Sequence, residues 1–281
     1  MKKVLAIDLD GTLLYPRNPF RFVPRRNVKF LRDYIDNGGR VVILTARGIS
    51  FSQNVIKQLK RPVDTIAYNG SDIIIDGVKI YETKIDNELA TRIVNDYFAN
   101  YWEKGLNCYL ATEKYGLLMN PKFATPFTFF GTILWGSSYF WNSEKFKISR
   151  KVYENTLKNG IIKKVVIFNS VNQERRNRSA RTCTELLEKY PEVEGSWADY
   201  VSELTPKGSD KAIALLRYAE HLKLSRDDFA VVGDSGNDVP SFKEFPLSFC
   251  MSHSSPAVKE TAKHIIEFVC DLVNYLDVLN D

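Results

Sequence analysis

Residues 4–12 read VLAIDLDGT, and this stretch decides the fold. The apolar run before Asp8 contains β-branched side chains, which is typical of a buried parallel strand. Asp8 and Asp10 follow at its carboxyl end, where Gly11 lets the chain turn. Chemistry in open α/β sheets collects at the carboxyl ends of strands. Because two neighbouring carboxylates repel each other unless a cation or proton lies between them, the pair predicts a functional site.

Three further motifs follow in chain order. A second strand ends at Thr45, within RVVILTAR at residues 40–47. Lys211 opens a helix within SDKAIALL at residues 209–216, and the acidic string GDSGND ends the segment FAVVGDSGND at residues 229–238. Together with the first stretch, these motifs resemble those of the haloacid dehalogenase-like superfamily of phosphohydrolases.

The predicted fold is α/β, with a Rossmann-like parallel-sheet core, because strands and helices alternate along the first part of the chain. The resemblance extends to the Cof-like branch of the superfamily and implies an inserted α/β domain, a C2-type cap. Such caps cover the active site and select the substrate. We therefore predict a catalytic core at residues 1–81 and 205–281, and a cap at residues 82–204.

Secondary structure is predicted from apolar spacing and turn residues. Asp76-Gly77 predicts a hairpin within residues 73–80. A single strand or a strand pair is expected over residues 196–204. Helices are predicted over residues 86–102, 256–262 and 270–279.

Two aspartates carry the predicted reaction. Asp8 is the predicted nucleophile, because a carboxylate can attack phosphorus and form an aspartyl-phosphate, which divides hydrolysis into two easier steps. Asp10 is the predicted general acid and base, which protonates the leaving alcohol and then activates water. Dehalogenase members of the superfamily lack the second aspartate, so Asp10 favours phosphate over haloacid substrates.

A metal ion is expected beside these aspartates. Attack by an anion on an anion requires charge compensation, and Mg²⁺ held by carboxylates, phosphate and water is the expected agent. The resemblance implies that the carboxylates of Asp8 and Asp234 and the backbone carbonyl of Asp10 hold the ion. Asp238 is expected to be an indirect partner or an occasional ligand.

Other residues are expected to contact the phosphoryl group. Thr45 offers a hydroxyl and a backbone N–H, and Lys211 offers a positive charge. Lys207 in the same PKGSDK string is the alternative lysine; Lys211 is preferred because it opens the helix and lies at a family-like distance from Gly233-Asp234. The further predicted substrate-binding residues are Gly11, Ala46, Arg47, Asn69 and Asn237.

Two features of the inserted segment could bear on the substrate. Arg175, Arg176, Arg178 and Arg181 form a basic cluster that could meet a second anionic group, although a solvated helix face is the favoured interpretation. The aromatic stretch at residues 123–141 is interpreted as cap core or a dimer surface rather than a sugar-stacking wall.

Composition limits the function classes. At 281 residues the chain favours two domains, and its net charge of +5 suits an anionic substrate without indicating nucleic acid as a partner. The four cysteines lack C-x-x-C spacing, so we expect reduced thiols and no zinc site. No apolar run is long enough to span a membrane and no signal peptide is recognised, so a cytoplasmic location is expected. A monomer or a homodimer is expected, with no nucleic acid or membrane as partner.

The favoured function is a Mg²⁺-dependent phosphatase acting on a small phosphorylated metabolite such as a sugar phosphate. A phosphomutase of the phosphomannomutase kind is the alternative, and the arginine cluster is its only hint. A non-catalytic phosphate-binding protein on the same fold would be expected to lack Asp8, Asp10, Lys211 or Asp234, and the sequence has all four.

Overall fold

The computed structural model describes residues 2–16, 22–101, 108–113, 115–117, 146–147, 149–168, 173–198 and 201–280. The chain divides into two compact units. One unit combines Met1–Glu82 with Asp210–Asp281, and the other is Thr83–Ser209.

The first part of the discontinuous unit alternates strands and helices before it ends in a hairpin. Its elements are β1 (Val4–Asp8), α1 (Arg25–Asp36), β2 (Arg40–Leu44), α2 (Ile49–Leu59), β3 (Asp64–Ala67), β4 (Asp72–Ile75) and β5 (Val78–Glu82). All five residues of β1 are buried, as its apolar sequence predicts. The predicted hairpin is present between β4 and β5, where Asp76 and Gly77 both have positive φ.

The second unit is an α/β layer of its own. Its elements are α3 (Asn87–Asp96), β6 (Cys108–Thr112), β7 (Gly116–Leu117), β8 (Phe146–Lys147), α4 (Arg150–Asn159), β9 (Ile162–Phe168), α5 (Gln173–Lys189), β10 (Val193–Ala198) and β11 (Val201–Pro206). The sheet order is β10-β11-β9-β6-β7-β8. Its apolar cluster joins the helices to the sheet, with Leu89 of α3 and Leu157 of α4 packed in the same cluster as Leu110, Val165 and Leu204.

The chain then returns to the discontinuous unit. The remaining elements are α6 (Lys211–Leu222), β12 (Phe229–Gly233), α7 (Val239–Glu244), β13 (Leu247–Met251), α8 (Pro256–Lys259), β14 (His264–Ile266) and α9 (Leu276–Asn280). A 3₁₀ segment, Val269–Tyr275, precedes α9.

Within the described residues of this unit, eight strands form one sheet in the order β14-β13-β12-β1-β2-β3-β4-β5. Every pair from β14 to β3 is parallel, and β4 and β5 are antiparallel. Side chains of β1 alternate between two apolar clusters, with Leu5 and Ile7 in one and Val4 and Ala6 in the other. Because both faces are covered, this is a doubly wound sheet, and the predicted α/β fold with a parallel core is confirmed.

The helix predicted over residues 86–102 is present from Asn87 to Tyr101, as an α-helix to Asp96 and a π-helical turn over Tyr97–Tyr101. Two other predicted helices have wrong bounds. The segment at residues 256–262 is helical only over Pro256–Lys259, and most of residues 270–279 is 3₁₀. The strand β14 was not predicted, because three residues are too few for a periodic signal and its pairing with β13 supplies its stability.

The helix α4 was also missed, although the sequence carries a signal for it. Ser149 caps the helix by accepting a hydrogen bond from the Val152 backbone, and Tyr153 and Leu157 lie four residues apart on its buried face. Among the described helices, none is long and apolar enough to cross a membrane.

Candidate active site

The predicted site residues meet at the carboxyl edge of the parallel sheet. The strand β1 lies between β12 and β2, so the ends of these three strands are neighbours. Asp8 ends β1, Thr45 follows β2, and Asp234 follows β12. Parallel pairing therefore brings together residues that are more than 200 positions apart in the chain.

An acidic cluster forms at this edge. Asp8, Asp234 and Asp238 each direct one carboxylate oxygen into a group whose atoms all lie within 4.8 Å of one another. Asp8 and Asp238 are buried, and Asp234 is half-buried. Three carboxylates at this spacing are costly to ionise together unless positive charge is supplied.

Lys211 supplies one positive charge. Its Nζ donates to Oδ1 of Asp8 and to Oδ1 of Asp238, each at 2.7 Å, and the side chain is 1% exposed. Asp210 caps the helix that Lys211 opens, accepting hydrogen bonds from the backbone of Ala212 and Ile213 at 2.7 and 3.2 Å. Lys207, the alternative lysine, is exposed and belongs to the other unit.

The loop after β3 packs against the start of α6. Gly70 has a φ of +110°, and a Cβ there would lie 2.7 Å from the Cβ of Ala214 and 2.9 Å from the carbonyl oxygen of Asp210. Only glycine permits this approach, so the Asn69-Gly70 turn helps to place the N-terminus of α6, and with it Lys211.

The pKa shifts reflect the crowding of charge. Burial raises the pKa of Asp8 well above its usual value, Lys211 opposes that shift, and Asp238 and Asp234 add to it. Burial also acts to lower the pKa of Lys211, but attraction to Asp238 and Asp8 outweighs burial and raises that pKa. Lys211 therefore remains an ammonium group, and the cluster as a whole is short of positive charge.

Asp238 organises the loop that carries Asp234. Its Oδ2 accepts hydrogen bonds from the backbone of Asp234 at 3.0 Å and of Ser235 at 3.1 Å. A Cβ at Gly233 would overlap with this carboxylate, which explains the glycine. Asn237 accepts a hydrogen bond from the Ser235 hydroxyl at 2.7 Å. Asp238 thus holds Lys211 and the loop at once.

Gly11 and Thr12 approach Asp234 from the other side. Gly11 has a φ of +86°, and a Cβ there would overlap with the Asp234 carboxylate. The Thr12 hydroxyl donates to Oδ1 of Asp234 at 3.1 Å. Thr12 belongs to the first motif and is not among the predicted site residues.

Asp10 is held by Arg47. The guanidinium of Arg47 donates through Nε and Nη2 to the two carboxylate oxygens, with Nη2 at 2.9 Å from Oδ1. The guanidinium also lies 4.3 Å from the centre of the Phe51 ring. Of the described residues, Asp8, Asp234 and Asp238 form the acidic cluster, and the Asp10 carboxylate points to Arg47.

Thr45 and Asn69 lie in two loops that are bonded together. The Thr45 hydroxyl accepts a hydrogen bond from the Arg47 backbone at 3.1 Å, and the Thr45 carbonyl accepts one from the Asn69 backbone at 2.9 Å. Thr45 and Asn69 are buried, and Ala46 is half-buried between Thr45 and Arg47. The structure therefore brings Asn69, one of the predicted substrate-binding residues, directly beside Thr45.

His253 is a neighbour of the cluster that sequence reasoning missed. Its Nε2 lies 3.7 Å from Oδ2 of Asp234. It follows β13 in a segment without a recognisable motif, so only the tertiary structure reveals it.

Most of the features predicted to affect substrate choice lie outside the part of the chain that the structure describes. The aromatic stretch at residues 123–141 lies outside the described residues, as do the side chains of Arg175, Arg176 and Arg178. Arg181 is exposed on α5.

The chain is similar to known proteins over nearly its whole length. A model of the haloacid dehalogenase-like hydrolases matches residues 5–272. A 5-amino-6-(5-phospho-D-ribitylamino)uracil phosphatase of Bacillus subtilis is 24% identical over 269 residues, which cover 94% of this chain and 90% of that protein.

Solved structures share the fold. A haloacid dehalogenase-like hydrolase from Bacteroides thetaiotaomicron superimposes with a TM-score of 0.78 at 20% identity, covering 98% of this chain and 100% of that one. A sugar phosphatase of subclass IIB superimposes with a TM-score of 0.75 at 17% identity, covering 98% of this chain and 99% of that one.

Proposed function

Because this chain belongs to the haloacid dehalogenase-like hydrolases, we propose that it is a Mg²⁺-dependent phosphatase that hydrolyses a small phosphorylated metabolite through an aspartyl-phosphate on Asp8. One observation carries the proposal. The buried carboxylate of Asp8 ends the central strand, is bonded to the Lys211 ammonium at 2.7 Å, and lies within 4.8 Å of Asp234 and Asp238. A nucleophile needs this combination of fixed position and nearby positive charge.

The substrate class rests on charge and on relatives. A net charge of +5 suits an anionic substrate. The Bacillus subtilis relative is named for a phosphoribityl substrate, and the subclass IIB structural neighbour is named a sugar phosphatase. We therefore propose a phosphorylated sugar or sugar alcohol derivative as the substrate of this chain.

The acidic cluster fits a magnesium ion. All three members offer carboxylate oxygens, the ligands that hard divalent cations prefer. Burial raises the pKa of Asp8 and the carboxylates of Asp238 and Asp234 add to that shift, so a divalent cation would favour the ionised form of Asp8. Asp8 and Asp234 would hold the ion together with the Asp10 carbonyl, while Asp238, already bonded to Lys211 and to two backbone amides, would act mainly by placing its neighbours. When bound, Mg²⁺ neutralises phosphate charge as a Lewis acid.

In the proposed first step, an Asp8 carboxylate oxygen attacks phosphorus, and the bond from phosphorus to the leaving oxygen breaks. Asp10 donates a proton to that oxygen, so the product leaves as an alcohol. Lys211, the Thr45 hydroxyl and Asn237 contact the phosphoryl oxygens as negative charge shifts among them.

In the second step, Asp10, now a carboxylate, takes a proton from water as the water attacks phosphorus. The bond between phosphorus and Asp8 breaks, and inorganic phosphate leaves. The bidentate contact with Arg47 holds the Asp10 carboxylate between these two tasks. Gly11, Ala46 and Asn69 complete the wall of the proposed phosphate site.

The two compact units have separate proposed roles. The unit of Met1–Glu82 with Asp210–Asp281 contains every residue of the proposed reaction and would be the catalytic core. Thr83–Ser209 would be the cap that selects the substrate.

The test is phosphate release from a panel of phosphorylated metabolites, with Mg²⁺ and with EDTA. We expect release that requires the metal and is lost in Asp8→Asn, while Asp33→Asn, an exposed aspartate on α1, retains it. Release by Asp8→Asn at the unaltered rate would contradict the covalent mechanism. Absence of release from every compound, by folded protein, would contradict the phosphatase proposal.

A further inference from the structure

The turn after β13 presents a histidine to the acidic cluster. Its two flanking residues are fixed by backbone hydrogen bonds, from Ser252 to the Ile266 carbonyl at 2.7 Å and from Ser254 to the Met251 carbonyl at 3.0 Å. His253 stands between them and is 30% exposed. The turn therefore sets where its imidazole can reach.

The imidazole is also held by a ring stack. The His253 ring lies 4.0 Å from the Tyr15 ring at an interplanar angle of 19°, and Tyr15 in turn stacks on Phe268 at 5.9 Å. Arg26 lies over the Phe268 ring, with its guanidinium 3.1 Å from the ring centre. Because the turn and the ring stack both hold the His253 imidazole, it loses little conformational freedom when it contacts another side chain.

The contact that results is with one specific oxygen. Oδ1 of Asp234 accepts from Thr12 at 3.1 Å, and Nε2 of His253 lies 3.7 Å from Oδ2. At 3.7 Å this contact is longer than a direct hydrogen bond. Thr12 and His253 thus approach the two oxygens of one carboxylate from different elements, and the carboxylate packs so close to Gly11 that a Cβ there would overlap with it.

We propose that His253 is a positioning residue that orients Asp234 for metal binding, an inference that rests on the proposed function. Groups that orient metal ligands from behind typically change metal affinity by about 10–100-fold when they are removed. Because the His253 contact is longer than a hydrogen bond, the expected effect lies near tenfold, at the low end of that range.

The test measures binding of Mn²⁺ to metal-free protein without substrate, by electron paramagnetic resonance of the free ion. His253→Phe keeps a ring for the Tyr15 stack and removes Nε2, so we expect Mn²⁺ to bind about tenfold more weakly. His253→Gln restores a polar group and should recover part of the affinity. His264→Phe is the matched control, because His264 also stacks on an aromatic ring, Phe249, at 5.0 Å but has no contact with Asp234 among those described.

The Asp234→Asn variant distinguishes a wrong role for His253 from a wrong metal site. Suppose that Asp234→Asn loses Mn²⁺ binding while the Mn²⁺ affinity of His253→Phe stays within about twofold of that of the unaltered protein. A twofold change is well below the range for orienting groups, so this result would refute the role of His253 and leave the metal site standing. If Asp234→Asn binds Mn²⁺ normally, the proposed metal site is wrong and the inference fails with it. Circular dichroism confirms folding, and His253→Asn replaces the phenylalanine variant in the same comparison if that variant is unfolded.

Discussion

Removing the charge of Lys211 should destabilise the metal-free protein strongly and in a pH-dependent way. Lys211→Met keeps much of the side-chain length and deletes the ammonium, whose contacts with Asp8 and Asp238 are both 2.7 Å. The side chains of Lys211, Asp8 and Asp238 are 1%, 7% and 1% exposed, so water cannot take its place. Deleting one partner of a buried ion pair typically costs about 3–5 kcal/mol.

Protonation of Asp8 limits this loss. A carboxyl with a usual pKa of 3.8 can be protonated at pH 7 for about 4 kcal/mol, at 1.36 kcal/mol for each pH unit, and at pH 5 for about 2 kcal/mol. Asp238 keeps two backbone donors in the variant, so Asp8 carries most of the effect. Lys211 lowers the pKa of Asp8 in the folded protein, so its removal raises that pKa further, and the stability loss should be smallest near pH 4 and grow as the pH rises.

We therefore expect Lys211→Met to lower the free energy of unfolding by about 4 kcal/mol at pH 7 and about 2 kcal/mol at pH 5, both in EDTA. The four tryptophans lie in Thr83–Ser209, so fluorescence would report on the other unit. Hydrogen exchange of β1 and β12 amides in urea reports on the unit that contains the substitution.

Two comparisons make the result decisive. Lys243→Met, at an exposed position of α7, should change the free energy of unfolding by no more than about 0.5 kcal/mol. Adding Asp8→Asn to Lys211→Met should recover most of the loss at pH 7. A loss below about 1 kcal/mol at pH 7, the level of an exposed pair, or an equal loss at pH 5, would refute the charge-pairing explanation.

Gly11→Ala should abolish Mn²⁺ binding, because the added Cβ would overlap with the Asp234 carboxylate. The control Gly38→Ala has a similarly unfavourable φ, +87°, but open space around it, so it should lower stability by about 1 kcal/mol and leave metal binding unchanged. Calorimetry measures the stability of each variant, and a Mn²⁺ titration measures its metal binding. Retained metal binding in Gly11→Ala would mean that Asp234 is not a ligand. Arg47→Ala should slow hydrolysis of alkyl phosphates about tenfold or more, but p-nitrophenyl phosphate much less, because a good leaving group needs little help from the acid that Arg47 holds, Asp10. Equal slowing of both substrates, or failure of Arg47→Lys to recover part of the rate, would contradict a role for Arg47 through Asp10.

The sequence by itself determined the family, the enzyme class and the parallel core. These predictions rest on local patterns: the apolar run before Asp8, the glycine that follows, and three later motifs. Each pattern can be recognised from neighbouring residues alone, without knowledge of the strand order. The family match over residues 5–272 confirms the prediction of a haloacid dehalogenase-like hydrolase, and the phosphatases among its relatives agree with the predicted enzyme class. The choice of Lys211 over Lys207 could also be made from sequence, since a capped helix start has a local signature.

Only the tertiary structure decided how the site residues pair. Lys211 meets Asp8 across 203 positions of chain, Thr12 meets Asp234 across 222, and His253 reaches the same carboxylate from the turn after β13. The contacts of Asp10 with Arg47 and of Asp238 with Lys211 also join residues that are distant in the sequence. Such contacts depend on which strands become neighbours in the sheet, and that order is set by the packing of the whole unit rather than by any local pattern.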